Sequence, residues 1–588
     1  MPTLNWIGKD KVVNHHAQVP FRVLDHQYGY DSNNPERIDP TKSGNKIIHG
    51  ENLEALKALL PEFEGKIDCE YIDPPYNTGN EAWVYNDNVN DPHIKKWLGE
   101  VVGREGEDMS RHDKWLCMMY PRLRLLHKLL SPQGVIFVSI DDNEEANLRM
   151  VCDEIFGSQC FVANISWQRT YSKRGDSKGI PAEVEHILVY SRNPGWNPNK
   201  LSRTAEMDSK YKNPDNDING AWQNTSAFAP GAITHQGMVY AIQHPFNGEL
   251  LYPTIGACWR YHQEQMLEYM QGWTNYELRD LNDAAERARV CGVEIDNVRA
   301  GVKGIVLSKS LQESRNDASI VLNRGNWPRF YFTKNGEGGI RRKTYLEKVG
   351  GTPASNYWPF SEVGHTDEAK KELMTIFSGK SPFDTPKPTR LIERILTIAT
   401  NKNSIVLDSF AGSGTTAHAV LKKNAEDGGN RRFVLVELGD YAESVTAERV
   451  RKAMNGYGEG KNAVKGLGGS FDFYELGKPL FLEDNSLNKE VDIEKIRAYV
   501  YFSETRQPIS QGIDSSNLYW MGNHDNTGYY FYYNPEKPTN LSIRSLSKVI
   551  TQPADSYIVY ADTCSLSKEF LATHHIYFKR IPIDIKRF

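Results

Sequence analysis

The chain has 588 residues, 39% of them hydrophobic and 25% charged. At roughly 150 residues per domain there is room for about four domains, and this composition excludes wholesale disorder, a collagen-like repeat and a small disulfide-stapled scaffold. Seventy basic against 75 acidic side chains leave a formal net charge of −5, so contact with nucleic acid has to rest on local basic patches.

Seven cysteines at irregular spacing, with no Cys-x-x-Cys pair, fit a reducing compartment better than a secreted one. The first ten residues lack the basic-then-apolar pattern of a secretion signal, and no stretch approaches 18 consecutive apolar residues. A cytoplasmic chain with no membrane partner is the expectation.

Residues 1–45 form an extension before the first clear pattern. Residues 46–50 read as a short strand ending in a turn, after which Leu53, Leu56, Leu59 and Leu60 fall on one helical face. Residues 66–72 form the next strand. It stops at Asp73-Pro74-Pro75-Tyr76, because neither proline has an N–H to give to a sheet ladder. A helix follows over 115–130, with Pro121 as a candidate kink, then a buried strand over 134–140. Asp142 or Asn143 can cap the next helix, and Gly157 can end it. From about Trp167 to Trp358 the rhythm breaks into Asn-, Gly-, Tyr- and Trp-rich sequence, the texture of an inserted domain. Strand–helix alternation returns with a helix over 386–400, a strand over 404–408, a helix over 415–423 and a strand over 432–437. A third texture begins after about residue 469. This order predicts an α/β fold with a doubly wound, mostly parallel sheet. Its halves are expected at 46–166 and 376–470, with the insertion at 167–375 and an α+β module at 471–588.

Two loops carry the chemistry. In Asp408-Ser409-Phe410-Ala411-Gly412-Ser413-Gly414-Thr415-Thr416 a strand feeds a glycine-rich turn, and the turn feeds a helix. Glycine lets a ligand approach the backbone, and a helix N-terminus offers free N–H groups. Glu437 lies 25 residues beyond Gly412, at the end of the next strand, where an acid can accept from ribose hydroxyls. The pattern indicates a nucleoside-containing cofactor or, failing that, a tight packing turn. It is not a P-loop, since no Gly-Lys-Ser/Thr follows. In the other loop, the stiff Pro74-Pro75 turn holds a carboxylate, backbone carbonyls and an aromatic ring together, which suits a planar base bearing an exocyclic amine. Asp73 and the Pro74 carbonyl can accept from the NH₂ while Tyr76 stacks on the base. Such bonds aim the nitrogen lone pair at an electrophile as the amine gains positive charge. A plain Asp-capped Pro-Pro turn is the alternative for the tetrapeptide alone.

Asp73-Pro74-Pro75-Tyr76-Asn77-Thr78-Gly79, followed much later by Phe410 to Thr416, resembles the β-class amino-methyltransferases of DNA. The likeness is greatest to the modification (Mod) subunits of type III restriction–modification systems, and the stretches 49–56, 120–123, 138–144 and 385–388 extend it. The resemblance implies S-adenosylmethionine as methyl donor. Its pocket would be made by Asp73, Asp408, Phe410, Ala411, Gly412, Ser413, Gly414 and Thr415. Glu437 would hold the ribose, and Phe383, Pro386 and Lys387 would lie toward the methionine end. Asp73, Pro74, Pro75 and Tyr76 would bind and orient the amine. In this family an Asp at the first motif position usually accompanies N6-adenine methylation, so adenine is expected, with N4-cytosine as the alternative. The reaction implied is direct displacement at the sulfonium methyl, without a covalent enzyme intermediate or a metal. Mod subunits act as dimers and associate with a restriction (Res) subunit, so both partners are expected here; a solitary methyltransferase is the alternative.

A base inside double-stranded DNA has to be flipped out before its amine can react. Two windows are suited to holding the distorted duplex. One carries Arg169, Lys173 and Arg174; the other carries Arg324, Arg329, Lys334, Arg341, Arg342 and Lys343, interleaved with Trp327, Phe330, Tyr331 and Phe332. The aromatic run 529–533 reads as a core strand rather than a base-stacking surface. His15-His16 and His574-His575 read as surface pairs. Two other classes compete with the methyltransferase reading. An NAD-type oxidoreductase leaves Asp73 to Tyr76 idle, and a non-catalytic DNA-binding specificity module leaves the intact Asp73 cluster unexplained.

Overall fold

A computed structural model describes residues 3–35, 39–78, 107–171, 179–507, 509 and 518–587. The chain forms two compact units, Met1–Asn199 with Ala354–Phe588, and Lys200–Pro353.

The first unit is built on a ten-stranded sheet. In chain order its strands are β1 (Arg22–Asp31), β2 (Lys46–His49), β3 (Ile67–Ile72), β4 (Leu130–Ile140), β5 (Phe161–Gln168), β6 (Val184–Ser191), β7 (Tyr357–Trp358), β8 (Ile405–Asp408), β9 (Arg432–Glu437) and β10 (Ser470–Pro479). In space the order is β1-β10-β2-β9-β8-β3-β4-β6-β5-β7. The six strands from β10 to β4 run parallel. β1 adds an antiparallel edge, and β6 runs antiparallel to both β4 and β5. The mostly parallel α/β sheet expected from the element order is therefore present.

β8 pairs with β3 in the register Leu407↔Glu70, although the two strands come from opposite halves of the chain. From β8 the sheet continues to β9 on one side; from β3 it continues to β4 on the other. This is the switch point at which a crevice opens beyond the carboxyl ends of the strands. The loops that follow Ile72 and Asp408 leave the sheet there together.

Helices α1 (Asn52–Phe63), α2 (Glu107–Leu129) and α3 (Glu145–Phe156) follow in the N-terminal half, and α4 (Thr389–Ala399) and α5 (Thr415–Asp427) in the C-terminal half. The Glu51 side chain caps α1 by accepting from the Glu54 N–H at 2.9 Å. Leu53, Leu56, Leu59 and Leu60 are buried with Trp115, Leu123 and Leu126 of α2 in one core. α3 starts at Glu145 with Glu144, not Asp142 or Asn143, at its N-cap and no side-chain cap bond; the Glu144 carboxylate is taken up by Asn77, His112 and Asn147. α4 starts three residues later than expected because Pro386 and Pro388 hold the preceding chain extended, with Pro388 itself at the N-cap.

Several expectations from texture need correction. The compact insertion, Lys200–Pro353, is narrower than 167–375, because β5, β6 and β7 belong to the main sheet. Residues 1–45 and 471–588 are not separate from the catalytic halves: β1 and β10 extend the same sheet. His15 and His16 are buried, not superficial. Burial, with Lys128, Arg124 and Lys57 nearby, lowers His16 to a pKa of about 4.

Within Lys200–Pro353, Trp222–Ser226, Ile340–Tyr345 and Phe330–Phe332 form a three-stranded antiparallel sheet. Its core is aromatic and includes Trp222, Trp259, Trp273, Phe330 and Tyr331. Near the C-terminus, strands Trp520–His524 and Thr527–Phe531 form a hairpin whose two turn residues, Asp525 and Asn526, have φ of +48° and +58°. That is the conformation that favours Asn and Asp in two-residue hairpin turns. Tyr529 and Phe531 enter one core and Tyr530 another, the two-residue alternation of a core strand. His574 and His575 are exposed. Among the described residues, no helix is long and apolar enough to cross a membrane.

Candidate active site

Asp73 leaves β3 at the crevice, and the two prolines that follow fix the path of the chain. The Pro75 carbonyl accepts from Trp115 Nε1 at 2.7 Å. Asn77 is fully buried in the left-handed region (φ +58°), and its side-chain amide donates to Glu144. Among non-glycine residues, Asn tolerates that conformation best. Between these anchors, the Tyr76 hydroxyl donates to Glu185 Oε2 at 3.0 Å, and Lys387 Nζ donates to both Asp73 oxygens at 2.6 Å. The Lys387 ammonium also lies 5.0 Å from the centre of the Tyr76 ring. Burial alone would pull Lys387 down, but the Asp73 and Glu185 carboxylates outweigh it and hold the ammonium above the usual lysine range. Burial, reinforced by the same two carboxylates, raises the Tyr76 phenol well above its usual value.

The second loop leaves β8. Asp408 accepts the Phe410 N–H at 3.0 Å and the Thr416 hydroxyl at 2.5 Å, which closes the turn onto the start of α5. Burial raises Asp408 to a pKa of about 7, against the opposing effect of these two bonds. Gly412 (φ +52°) gives its N–H to Glu437 Oε2 at 2.7 Å, and Gly439 gives its own to Oε1 at 2.9 Å. Burial raises Glu437, while these N–H groups pull the other way. A Cβ on Gly412 would stand 3.1 Å from the Phe383 ring; one on Gly414 would stand 2.9 Å from the Thr446 carbonyl. Gly414 is thus required by close approach to backbone as well as by φ, and Gly412 is favoured by its φ and by the tight Phe383 contact.

The two loops line one cavity of about 410 Å³, a volume within the range of small-molecule sites. Its walls bring together Asp73, Pro74, Pro75, Tyr76, Phe383, Pro386, Lys387, Asp408, Phe410, Ala411, Gly412, Ser413, Thr415 and Glu437. Gly414 stands behind this wall, against Thr446. The arrangement fits a nucleoside-bearing group: a bare backbone at Gly412 facing the Phe383 ring, and a buried acid at the end of β9. Lys387, expected toward the methionine end of a cofactor, lines this cavity and is bound to Asp73.

Several contributors carry no sequence signal. Glu185 from β6 and Trp167 from β5 line the same cavity. Arg449 stands behind it, fully buried, donating to Ser413 Oγ at 2.9 Å, Thr415 Oγ1 at 2.7 Å and Thr389 Oγ1 at 3.1 Å.

The basic windows separate. Arg169 pairs with Glu185 at 2.7 Å inside the cavity wall, while Lys173 and Arg174 lie outside the described residues. In Lys200–Pro353, Arg324, Lys334 and Arg341 are exposed. Arg342 is half-buried beside Thr225, and Arg329 is held 5.7 and 5.8 Å from the Tyr261 and Tyr269 rings. Lys343 does not belong with them. It is 0% exposed and bonds Asp215 and Asp217 at 2.5 Å each, beside the Trp222 ring that packs in the core with Tyr345.

The profile of the DNA methylase family (N6 and N4 methyltransferases) matches residues 67–290 and 301–448. The Mod subunit of the type III restriction–modification enzyme StyLTI from Salmonella typhimurium is 33% identical over 447 residues, covering 74% of this chain and 58% of that protein. The EcoPI Mod subunit of Escherichia phage P1 is 27% identical over 503 residues, covering 79% and 66%. The type II methyltransferase M.KpnI of Klebsiella pneumoniae is 28% identical over 418 residues, covering 70% and 84%. The chain spans about three fifths to two thirds of the length of these two Mod relatives. The motif resemblance to Mod subunits is borne out by these matches. With the family profile covering more than half of its length, the chain belongs to the N6/N4 DNA methylase family.

Proposed function

We propose that this protein transfers a methyl group from S-adenosylmethionine to the exocyclic N6 of adenine in double-stranded DNA, as the modification subunit of a type III restriction–modification system. The observation that carries the reading is the shared cavity of the Asp73 and Gly412 loops. When bound, S-adenosylmethionine supplies an electrophilic methyl on a sulfonium. Phe383, Phe410 and Gly412 would shape its pocket and Glu437 would accept from its ribose. Asp73 and the Pro74 carbonyl accept from the amine of a flipped adenine, and the Tyr76 ring supports the base. The Asp73 carboxylate also stabilises positive charge as it develops on that nitrogen. The exposed Arg324, Lys334 and Arg341 of Lys200–Pro353 would neutralise phosphates. The likeness to Mod subunits supports a homodimer and a Res partner.

The test is transfer of tritiated methyl to unmethylated genomic DNA, with chromatography of the digested nucleosides to identify the modified base. The expected product is N6-methyladenine. Asp73→Ala is expected to lower the rate at least 100-fold while S-adenosylmethionine binding stays measurable by calorimetry. Undiminished turnover in this variant would overturn the role of Asp73, and binding of NAD in place of S-adenosylmethionine would overturn the reading as a whole.

A further inference from the structure

Lys387 stands where the proposed reaction requires a different nitrogen. Its ammonium donates to both Asp73 oxygens and lies over the Tyr76 ring. A flipped adenine would bring its own amine to the same acceptor and the same ring, where it competes with an ammonium that already engages both carboxylate oxygens. Lys387 cannot simply be released, because its side chain is only 12% exposed and an ammonium stranded there without a partner is costly. A second carboxylate is at hand. Glu185 Oε2, on a side chain 7% exposed, lies 4.0 Å from Lys387 Nζ.

We infer that Lys387 is a displaceable occupant of the amine's position, and that Glu185 is the carboxylate to which it passes when the target amine engages Asp73. This rests on the methyltransferase reading above and adds a gate to the same site. The movement closes 4.0 Å to an ordinary charge-assisted bond of about 2.8 Å, within reach of a side-chain rotation. Lys387 engages both Asp73 oxygens, and Arg169 partners Glu185 at 2.7 Å. After the exchange, Glu185 lies between two cations and Asp73 is free to accept from the amine. A nucleophile therefore has to displace an ammonium before it can be aligned. Glu185 is a positioning residue in this scheme, since it acts through Lys387 and through the Tyr76 hydroxyl.

A double-mutant cycle on the full chain tests the exchange, with methyl transfer to unmethylated genomic DNA as readout and calorimetry with S-adenosylmethionine alongside. Glu185→Gln keeps an oxygen for the Tyr76 hydroxyl but removes the charge that receives Lys387; Lys387→Met removes the occupant. Glu185→Gln is expected to raise the KM for DNA at least tenfold, with cofactor affinity held within twofold. Lys387→Met is expected to lower that KM, and in its background the Glu185→Gln change should cost less than threefold. An equal cost of Glu185→Gln in both backgrounds overturns the exchange and leaves Glu185 acting on Tyr76 alone. Loss of transfer in both Lys387→Met and Lys387→Gln, with normal melting curves, also overturns it, since the lysine would then be needed for the transfer itself. A wild-type chain that transfers no methyl overturns the function reading, and the gate with it.

Discussion

Arg449 ties the glycine loop, which lines the candidate cavity, to the start of α4. One guanidinium nitrogen holds Ser413 and Thr415 of the glycine loop, and the other holds Thr389 at the start of α4. Glu372 supplies the counter-charge at 3.4 Å. Burial lowers the Arg449 guanidinium from its usual value, whereas Glu372 is held below the ordinary carboxylate range, Arg449 outweighing the effect of burial. Removing one member of a fully buried pair costs about 3–5 kcal/mol, and the cost is smaller here because Glu372 is 25% exposed and keeps its bond from the Thr389 hydroxyl. Arg449→Met is therefore expected to lower the melting temperature by several degrees and to weaken S-adenosylmethionine binding. Adding Glu372→Gln should recover part of the stability but not the binding, as read by thermal melts and calorimetry. At this scale the glycine loop and Glu437 were legible because a strand, a tight turn and an acid at the next strand end declare themselves locally. Arg449 and Glu185 were not, since each acquires its meaning from partners 36 and 109 residues away. Lys343 misled for the same reason. It stands in a run of basic residues, and the aspartates that neutralise it are 126 and 128 residues upstream.

At the scale of elements, the strand–turn–helix from β8 to α5 is closed by one carboxylate. Asp408 joins the Phe410 N–H to the Thr416 hydroxyl, and burial raises it to a pKa of about 7 from an ordinary 3.8. The folded state therefore retains a proton that the unfolded chain releases. This contribution to stability is fully present below about pH 4 and is lost as the pH rises through about 7, with a slope of at most roughly 1.4 kcal/mol per pH unit. Asp408→Asn removes the titration, while its amide can still meet both partners if the Thr416 hydroxyl turns to accept. The melting temperature of the wild type should therefore fall relative to the variant between pH 5 and pH 7.5; parallel curves would show that Asp408 titrates normally. Elements with strong periodicity, such as β3, β4, β9 and α1, could be read from sequence. β1 could not, because it is an edge strand with mixed burial and no clean alternation. β5 and β6 were hidden for a different reason. They run antiparallel beyond β4, outside the strand–helix rhythm used to bound the sheet.

At the scale of the whole molecule, the first unit is knitted from both ends of the chain: β2 lies between β10 and β9, and β3 beside β8. Every residue lining the candidate cavity belongs to that unit. The two points at which the chain leaves it are anchored independently of the insertion. The Asn199 N–H donates to the Ile398 carbonyl at 2.8 Å, and the Ser166 N–H to the Asn356 carbonyl at 2.8 Å. Within Lys200–Pro353 the ends are adjacent, since Leu201 and Thr352 exchange backbone bonds of 2.8 and 2.9 Å. A short flexible link can thus close Asn199 to Ala354 at little entropic cost. Replacing Lys200–Pro353 by such a link is expected to leave a chain that melts cooperatively and binds S-adenosylmethionine within about threefold of the wild type. The same chain should lose DNA binding in gel-shift titrations and methyl transfer to DNA, because the exposed basic residues of that unit are gone. Retained transfer would place DNA recognition in Met1–Asn199 with Ala354–Phe588, and failure to bind the cofactor would mean that the insertion helps to build the cofactor wall.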